Sequence, residues 1–293
     1  MIRIGTAGWS YPDWDGIVYP RPKPKGFHGL AHLAKFFNCV EINSSFYGMP
    51  TSSNAQRWLD LVADKPDFRF LAKLHQDFTH RSPRPSIEHR RAVKDFRYGM
   101  EPLLQSGKFA SLLAQFPVSF KATRANAQQL GVLIEDWKDT PFAVELRDRS
   151  WFVPKGLDWL ESKQVSLLHV DMPPAKDHPP AQFKATSAVG YLRMHGRNSE
   201  TWFTKGVGRD DRYNYLYGPE EVDALAEQVQ DMAGQYEEVY VITNNHFAGQ
   251  AVANAIELQA KLAGAPVTAP TSLLDHYPRL RSIAKGLGQA DLF

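Results

Sequence analysis

Apolar and polar residues follow one another in short strand-like runs separated by longer stretches of helical period. Runs of strand character cover 2–6, 39–43, 68–74, 111–115, 142–147, 166–171, 191–195 and 239–244. Between most of them the spacing predicts helices over 28–37, 53–63, 86–104, 125–137, 154–162 and 219–236, with a final helix near 249–263. Pro219 marks a helix start, while Gly131 and Gly234 soften the boundaries around them. Eight strands with intervening helices, spread over roughly 250 residues, predict a (β/α)8 barrel. One unit departs from the rule. The connection over 172–188, between strands six and seven, carries Pro173, Pro174, Pro179 and Pro180 and no convincing long helix.

Successive strand residues face opposite ways, so parity sorts each strand into two faces. One face is apolar: Val40 and Ile42; Phe68, Phe70 and Ala72; Leu112 and Ala114; Phe142, Val144 and Leu146; Leu168 and Val170; Leu192 and Met194. That face suits packing under helices. The opposite face ends in a polar residue near the C-terminal end of the strand. Glu41 and Asn43, Lys73, Gln115, Glu145 and Arg147, His169 and Asp171, Arg193 and His195, and Asn244 fall there. Barrel enzymes build their sites at that end. A closed network of ion pairs inside the barrel is the structural alternative, but burying so many charges without use is costly.

Composition narrows the class. The chain has 293 residues, is 43% hydrophobic and 23% charged, and has a net charge of +2, as expected for a globular protein with one large core. No apolar run approaches membrane-spanning length, and the opening MIRIG reads as a strand, not a signal peptide. The single cysteine, Cys39, lies at the start of its strand and argues for a reducing compartment, so a cytoplasmic protein is expected. Residues 1–280 are read as one barrel domain and 281–293 as a tail.

Several segments together carry a family resemblance. They are IGTAGWSYP at 4–12, EINSSFY at 41–47, FRFLAK at 68–73 with Thr79 and His80, and QFP at 115–117. ELR at 145–147 with Trp151, RMHG at 193–196 and TNN at 243–245 complete the set. In this order they resemble the YecE-like family, domain of unknown function 72, from residue 2 to about 250. The resemblance implies a TIM-like barrel, in agreement with the strand count, and implies no reaction. The last five residues, Gln289-Ala290-Asp291-Leu292-Phe293, resemble the bacterial sliding-clamp-binding pentapeptide. In such a peptide Leu292 and Phe293 fill an apolar pocket on the partner, and the Gln289 amide bonds at its rim beside Asp291. The segment SIAKGLG at 282–288, with two glycines, is expected to be a tether.

Candidate chemistry concentrates at the barrel mouth. Glu145, Lys73 and His195 are the expected catalytic residues, with Glu145 as general acid or base. Lys73 is also of the type that forms Schiff bases in barrels. The expected substrate-binding set is Trp9, Asn43, Tyr47, His80, Gln115, Arg147, Arg193, Asn244 and Asn245. Convergence of Lys73, Arg147, Arg193 and His195 points to an anion, a phosphate or carboxylate. Basic residues at 21–25 and 80–97, and aromatic and basic residues at 202–205 and 209–217, add a rim suited to stacking bases or sugars. Glu41, Glu145, His169, Asp171 and His195 are also of metal-ligand type, without local ligand spacing; a divalent metal is the weaker expectation.

The sequence therefore predicts an enzyme, a hydrolase or lyase, acting on a phosphate-bearing substrate, with nucleic acid favoured by the tail. Its alternatives are a non-catalytic clamp- or nucleic-acid-binding protein and a sugar-phosphate hydrolase or isomerase.

Overall fold

The computed structural model describes residues 1–81, 86–202, 204, 206 and 208–287. The terminal motif at 289–293 lies outside the described residues, as do positions 203 and 205 of the aromatic and basic loop.

Nine parallel strands form one sheet. They are β1 (Ile2–Ala7), β2 (Cys39–Ile42), β3 (Arg69–Lys73), β4 (Phe109–Gln115), β5 (Phe142–Glu145), β6 (Ser166–Leu167), β7 (His169–Asp171), β8 (Val189–Met194) and β9 (Glu238–Thr243). The spatial order is β6-β5-β4-β3-β2-β1-β9-β8-β7. The two edges of this sheet, β6 and β7, are halves of the single strand expected over 166–171, parted only at Leu168. The covalent chain therefore bridges the one unpaired seam of a nearly closed barrel. Helices Ser52–Asp60, Ile87–Gln105, Arg124–Asp136, Pro154–Ser162, Pro219–Ala233 and Gln250–Ala263 follow the expected pattern, whereas the first shortens to Gly29–Leu33.

Local chemistry explains where these helices begin. Thr51, Ser86 and Thr123 each accept a hydrogen bond from the third residue into the helix, and Pro154 and Pro219 occupy first-turn positions where no N–H is needed. The outward strand face packs under the helices through residues such as Val40, Phe70, Leu112, Val144, Leu192 and Val241. The interior is filled by a separate layer of Cys39, Leu71, Leu113, Ala143, Leu168, Tyr191, Tyr240 and Ile242. The barrel is thus plugged by side chains below its mouth, as its strand number requires. Among the described residues, no helix is long and apolar enough to cross a membrane.

Two expectations are corrected here. In strand six the interior residues are Leu168 and Val170, so His169 and Asp171 point outward. His169 Nε2 bonds the Tyr236 hydroxyl at 3.0 Å and its ring stacks on Phe183 at 4.1 Å. Among the described residues the connection over 172–188 carries no helix, and polar side chains find partners outside while the plug takes the apolar ones. The second correction concerns the tether. Ala284–Leu287 (β11) pairs in parallel with Val267–Pro270 (β10), which builds most of 282–287 into a two-stranded sheet.

Candidate functional site

Side-chain alternation delivers the last inward position of several strands to the same end of the barrel. Glu41 on β2, Lys73 at the end of β3, Gln115 at the end of β4, Glu145 at the end of β5 and Arg193 on β8 are all placed this way. Arg147, His195 and Asn244 extend the same faces just past their strands.

A largely buried network closes the top of the plug. Arg193 donates from Nη2 to Glu41 Oε1 at 2.7 Å, and from Nη1 to Glu145 Oε2 at 2.5 Å and Gln115 Oε1 at 3.1 Å. The Tyr191 hydroxyl donates to the second oxygen of Glu41. Arg147 Nε donates to Glu145 Oε1 at 2.6 Å, and His195 Nε2 lies 3.3 Å from that oxygen. Asn244 Nδ2 is 2.8 Å from His195 Nδ1. Since an amide nitrogen only donates, His195 accepts at Nδ1 and carries its proton on Nε2, toward Glu145. Burial lowers the His195 pKa to about 3 against the pull of Glu145, so the ring is neutral. Burial pushes the Glu145 carboxyl up, but the charges of Arg147 and Arg193, with the hydrogen bond from His195, outweigh it and hold the group well below the usual carboxylate range. Glu145 is therefore a fixed carboxylate with both oxygens occupied, and His195 has both ring nitrogens engaged.

Above this layer opens a cavity of about 550 Å³. Of the expected residues, Trp9, Asn43, Tyr47, Lys73, His80, Gln115 and Asn244 line it. Arg193 and His195 stand one hydrogen bond behind that lining, through Gln115 and Asn244, and Glu145 stands one bond further back, behind Arg193 and His195. Asn245 points the other way: its Nδ2 donates to Tyr215 O and Asn254 Oδ1, both at 2.8 Å, in the packing outside the sheet. Parity required this, because Asn244 already faces inward.

Two polar groups in the cavity stand out. Lys73 is 7% exposed, and its ammonium nitrogen has no hydrogen-bond or ion-pair partner among the described residues. It lies over the face of Phe46, 4.1 Å from the ring centroid. Burial, then repulsion from Arg193, lowers its pKa to about 7 despite Glu41 and Glu145. Asn43 sits at the N-terminus of the short helix Ser44–Tyr47 without capping it, and its buried Oδ1 has no hydrogen-bond partner among the described residues. Gly8, with φ +81°, brings the backbone beside it: an added Cβ would lie 3.1 Å from the Tyr11 hydroxyl and 3.6 Å from Asn43 Nδ2.

The walls are aromatic. Trp9 meets Trp58 edge-on at 5.5 Å, and Tyr11 stacks on His246 at 4.5 Å, while Tyr47 stands 59% exposed at the mouth. Phe46, Trp58, Tyr11, Tyr213 and His246 were not anticipated as lining residues. Phe46 and Tyr11 lie inside the quoted motifs and Tyr213 inside the aromatic loop, so a sequence signal existed for these three. Trp58 comes from a helix face whose destination only packing reveals.

The expected metal set does not assemble. Glu41 and Glu145 are bonded to arginine and His169 and Asp171 face outward, and no group of three or more His, Cys, Asp or Glu among the described residues is placed to hold a metal ion. The basic rim is also largely engaged locally: Lys23 pairs with Asp15 at 2.5 Å, His89 with Asp136 at 2.6 Å, and Arg97 lies over Trp137 at 4.5 Å.

Fold and site together define a parallel α/β barrel protein with an aromatic-walled, polar-floored cavity at the C-terminal ends of its strands. The chain belongs to the family described as protein of unknown function DUF72, whose model matches residues 3–275. It is 31% identical over 270 residues to the UPF0759 protein YunF of Bacillus subtilis strain 168, covering 88% of this chain and 93% of that one. It is 30% identical over 120 residues to the UPF0759 protein YecE of Escherichia coli K12, 41% of this chain and 39% of that protein. Among solved structures it is similar to a DUF72 family protein from Thermotoga maritima MSB8, with TM-score 0.75 and 30% identity over 90% of this chain and 99% of the other. A DUF72 family protein from Enterococcus faecalis V583 gives TM-score 0.76 and 28% identity over 90% and 96%.

Proposed function

We propose that the barrel-mouth cavity is an active site for a small, hydroxyl-rich substrate carrying a phosphate, of the sugar-phosphate kind, with Lys73 as its proton-transfer group. The observation that carries this reading is the buried Lys73 amine, which faces the cavity with no hydrogen-bond or ion-pair partner among the described residues, whereas Glu41, Glu145, Arg147 and Arg193 are bonded to one another. A group that titrates near neutral pH is suited to give and take protons there. Asn43 Oδ1 supplies an acceptor for a substrate hydroxyl, and Trp9, Tyr11 and Trp58 supply faces and edges for a ring. In the floor, two carboxylates balance two guanidiniums, so protonated Lys73 leaves one net positive charge and favours an anion. Glu145 and His195 act in this reading as positioning residues.

The test is calorimetric titration of glucose 6-phosphate and ribose 5-phosphate against the intact protein and Lys73→Met. Binding of at least one, weakened at least tenfold by the substitution and by raised salt, is the expected outcome. Equal affinity for both proteins would overturn it.

A separate proposal rests on sequence alone. The pattern at Gln289, Asp291, Leu292 and Phe293 supports docking on a bacterial sliding clamp, which would bring the barrel to replicating or repaired DNA. Sizing a mixture of intact protein and clamp, beside the same mixture made with a chain ending at 287, tests it.

A further inference from the structure

We infer that Lys73 is a nucleophile that forms a covalent imine with an aldehyde or ketone substrate, most suitably a short hydroxy-carbonyl compound. The inference rests on the cavity being the active site and adds the reaction class.

The argument starts from what surrounds the amine. A buried ammonium is stable where a carboxylate meets it, because desolvation costs several kcal/mol. Here both nearby carboxylates are committed elsewhere: Glu41 to Arg193 and Tyr191, Glu145 to Arg193, Arg147 and His195. The Phe46 face offers the ammonium a cation–π contact but no counter-charge. The neutral amine is therefore the cheaper form, and its lone pair faces the cavity without a bonding partner among the described residues. An ordinary lysine is neutral in roughly one molecule in 2,500 at pH 7, whereas one titrating near 7 is neutral in half of them. The packed floor keeps bulk water from one side, and the opening admits a small carbonyl compound from the other.

The step balances without an external oxidant or reductant. The Nζ lone pair attacks the carbonyl carbon and the oxygen takes a proton, giving a carbinolamine. Loss of that hydroxyl with a proton, as water, leaves the iminium, and hydrolysis reverses both steps. His80 lines the same cavity and its pKa is lowered by burial, then by Lys73 and Arg147, so it is a neutral imidazole able to relay these protons. The iminium restores the positive charge that neutral Lys73 had removed. Asn43 Oδ1 is placed to accept a hydroxyl of the same substrate.

The test uses the full chain with glycolaldehyde and sodium cyanoborohydride, which reduces an imine to a stable amine, followed by peptide mass mapping. The expected result is modification of Lys73 at least ten times faster at pH 7 than of the exposed Lys35, Lys163 and Lys285, with a rate midpoint near pH 7. Modification of Lys73 no faster than those three overturns the inference, and this readout needs no variant to fold. Glycerol 3-phosphate, which has no carbonyl, separates the two readings. If it binds while Lys73 stays unmodified, the imine falls and the cavity proposal stands. If Lys73 is selectively modified and neither glycerol 3-phosphate nor the sugar phosphates bind or protect it, the amine stands and the phosphate falls.

Discussion

Two charged clusters lie on opposite sides of the same sheet, and they differ in what they leave unbonded. Outside the sheet, Asp171 accepts from Arg197 Nη2 and from the Tyr217 hydroxyl, both at 2.6 Å, and Glu221 accepts from Arg197 at 3.0 Å and Tyr215 at 2.8 Å. Glu257 accepts from Arg279 and Asn254, at 2.8 and 2.7 Å. Each charge there has its counterpart, and the cluster braces the loop after β8 against the helix Gln250–Ala263. Inside the barrel, Glu41, Glu145, Arg147 and Arg193 are also paired with one another, although Arg193 Nε has no hydrogen-bond partner among the described residues, and they leave Lys73 over with a cavity in front of it. Density of charge does not distinguish a brace from a site. An uncompensated group beside open volume does.

The largest effect expected from this contrast is on stability. Glu145→Ala removes the carboxylate shared by Arg147 and Arg193, leaving Arg193 with Glu41 as its one remaining carboxylate partner among the described residues, and should cost about 3–5 kcal/mol in urea unfolding. Asp171→Asn, beside an Arg197 that reaches solvent, should cost about 1–2 kcal/mol and leave ligand binding in the cavity unchanged. Equal losses would erase the distinction between the two clusters.

Lys73→Met sharpens it with the opposite sign. The folded pKa of about 7 lies below the unfolded value of about 10.4, so between these limits the unfolded chain holds a proton that the folded chain has lost. The destabilisation due to Lys73 is therefore full below pH 7 and relieved as pH rises toward 10. Lys73→Met should be more stable than the parent by about 1–3 kcal/mol at pH 6, with the gap narrowing toward pH 9 in paired thermal melts. A gap that widens with pH would show Lys73 to be a stabilising cation, as in a brace.

His195 gives a smaller, spectroscopic readout. With its pKa at about 3, its imidazole carbon and nitrogen shifts should stay those of a neutral Nε2–H ring down to pH 5, where exposed histidines have titrated. Protonation of His195 above pH 5 would mean that Glu145 is less committed to arginine than its hydrogen bonds require. The smallest effect on the barrel is expected from ending the chain at 287, which should shift unfolding by under about 0.5 kcal/mol while removing any clamp binding. A loss of several degrees in Tm would make the terminal residues part of the packing.

Much of this was legible beforehand. Strand number, order along the chain and the missing helix over 172–188 followed from local periodicity. Parity placed Lys73, Gln115, Arg193, His195 and Asn244 on inward faces near one end, because alternation is a property of the strand itself. It failed at His169 and Asp171, where both faces carry mixed chemistry and the choice depends on what lies outside the sheet. It was silent on Trp58, which reaches the cavity from the helix Ser52–Asp60.

The sequence by itself determined the architecture and the set of polar side chains delivered to the barrel mouth, since both depend on periods of a few residues. Only the tertiary structure decided which of those charges neutralise one another. Glu41, Glu145, Arg147 and Arg193 are up to 152 positions apart, and their pairing is settled by distances of about 3 Å that no local pattern encodes. That pairing turned an expected anion clamp into a closed floor and left Lys73 as the charge without a counterpart among the described residues.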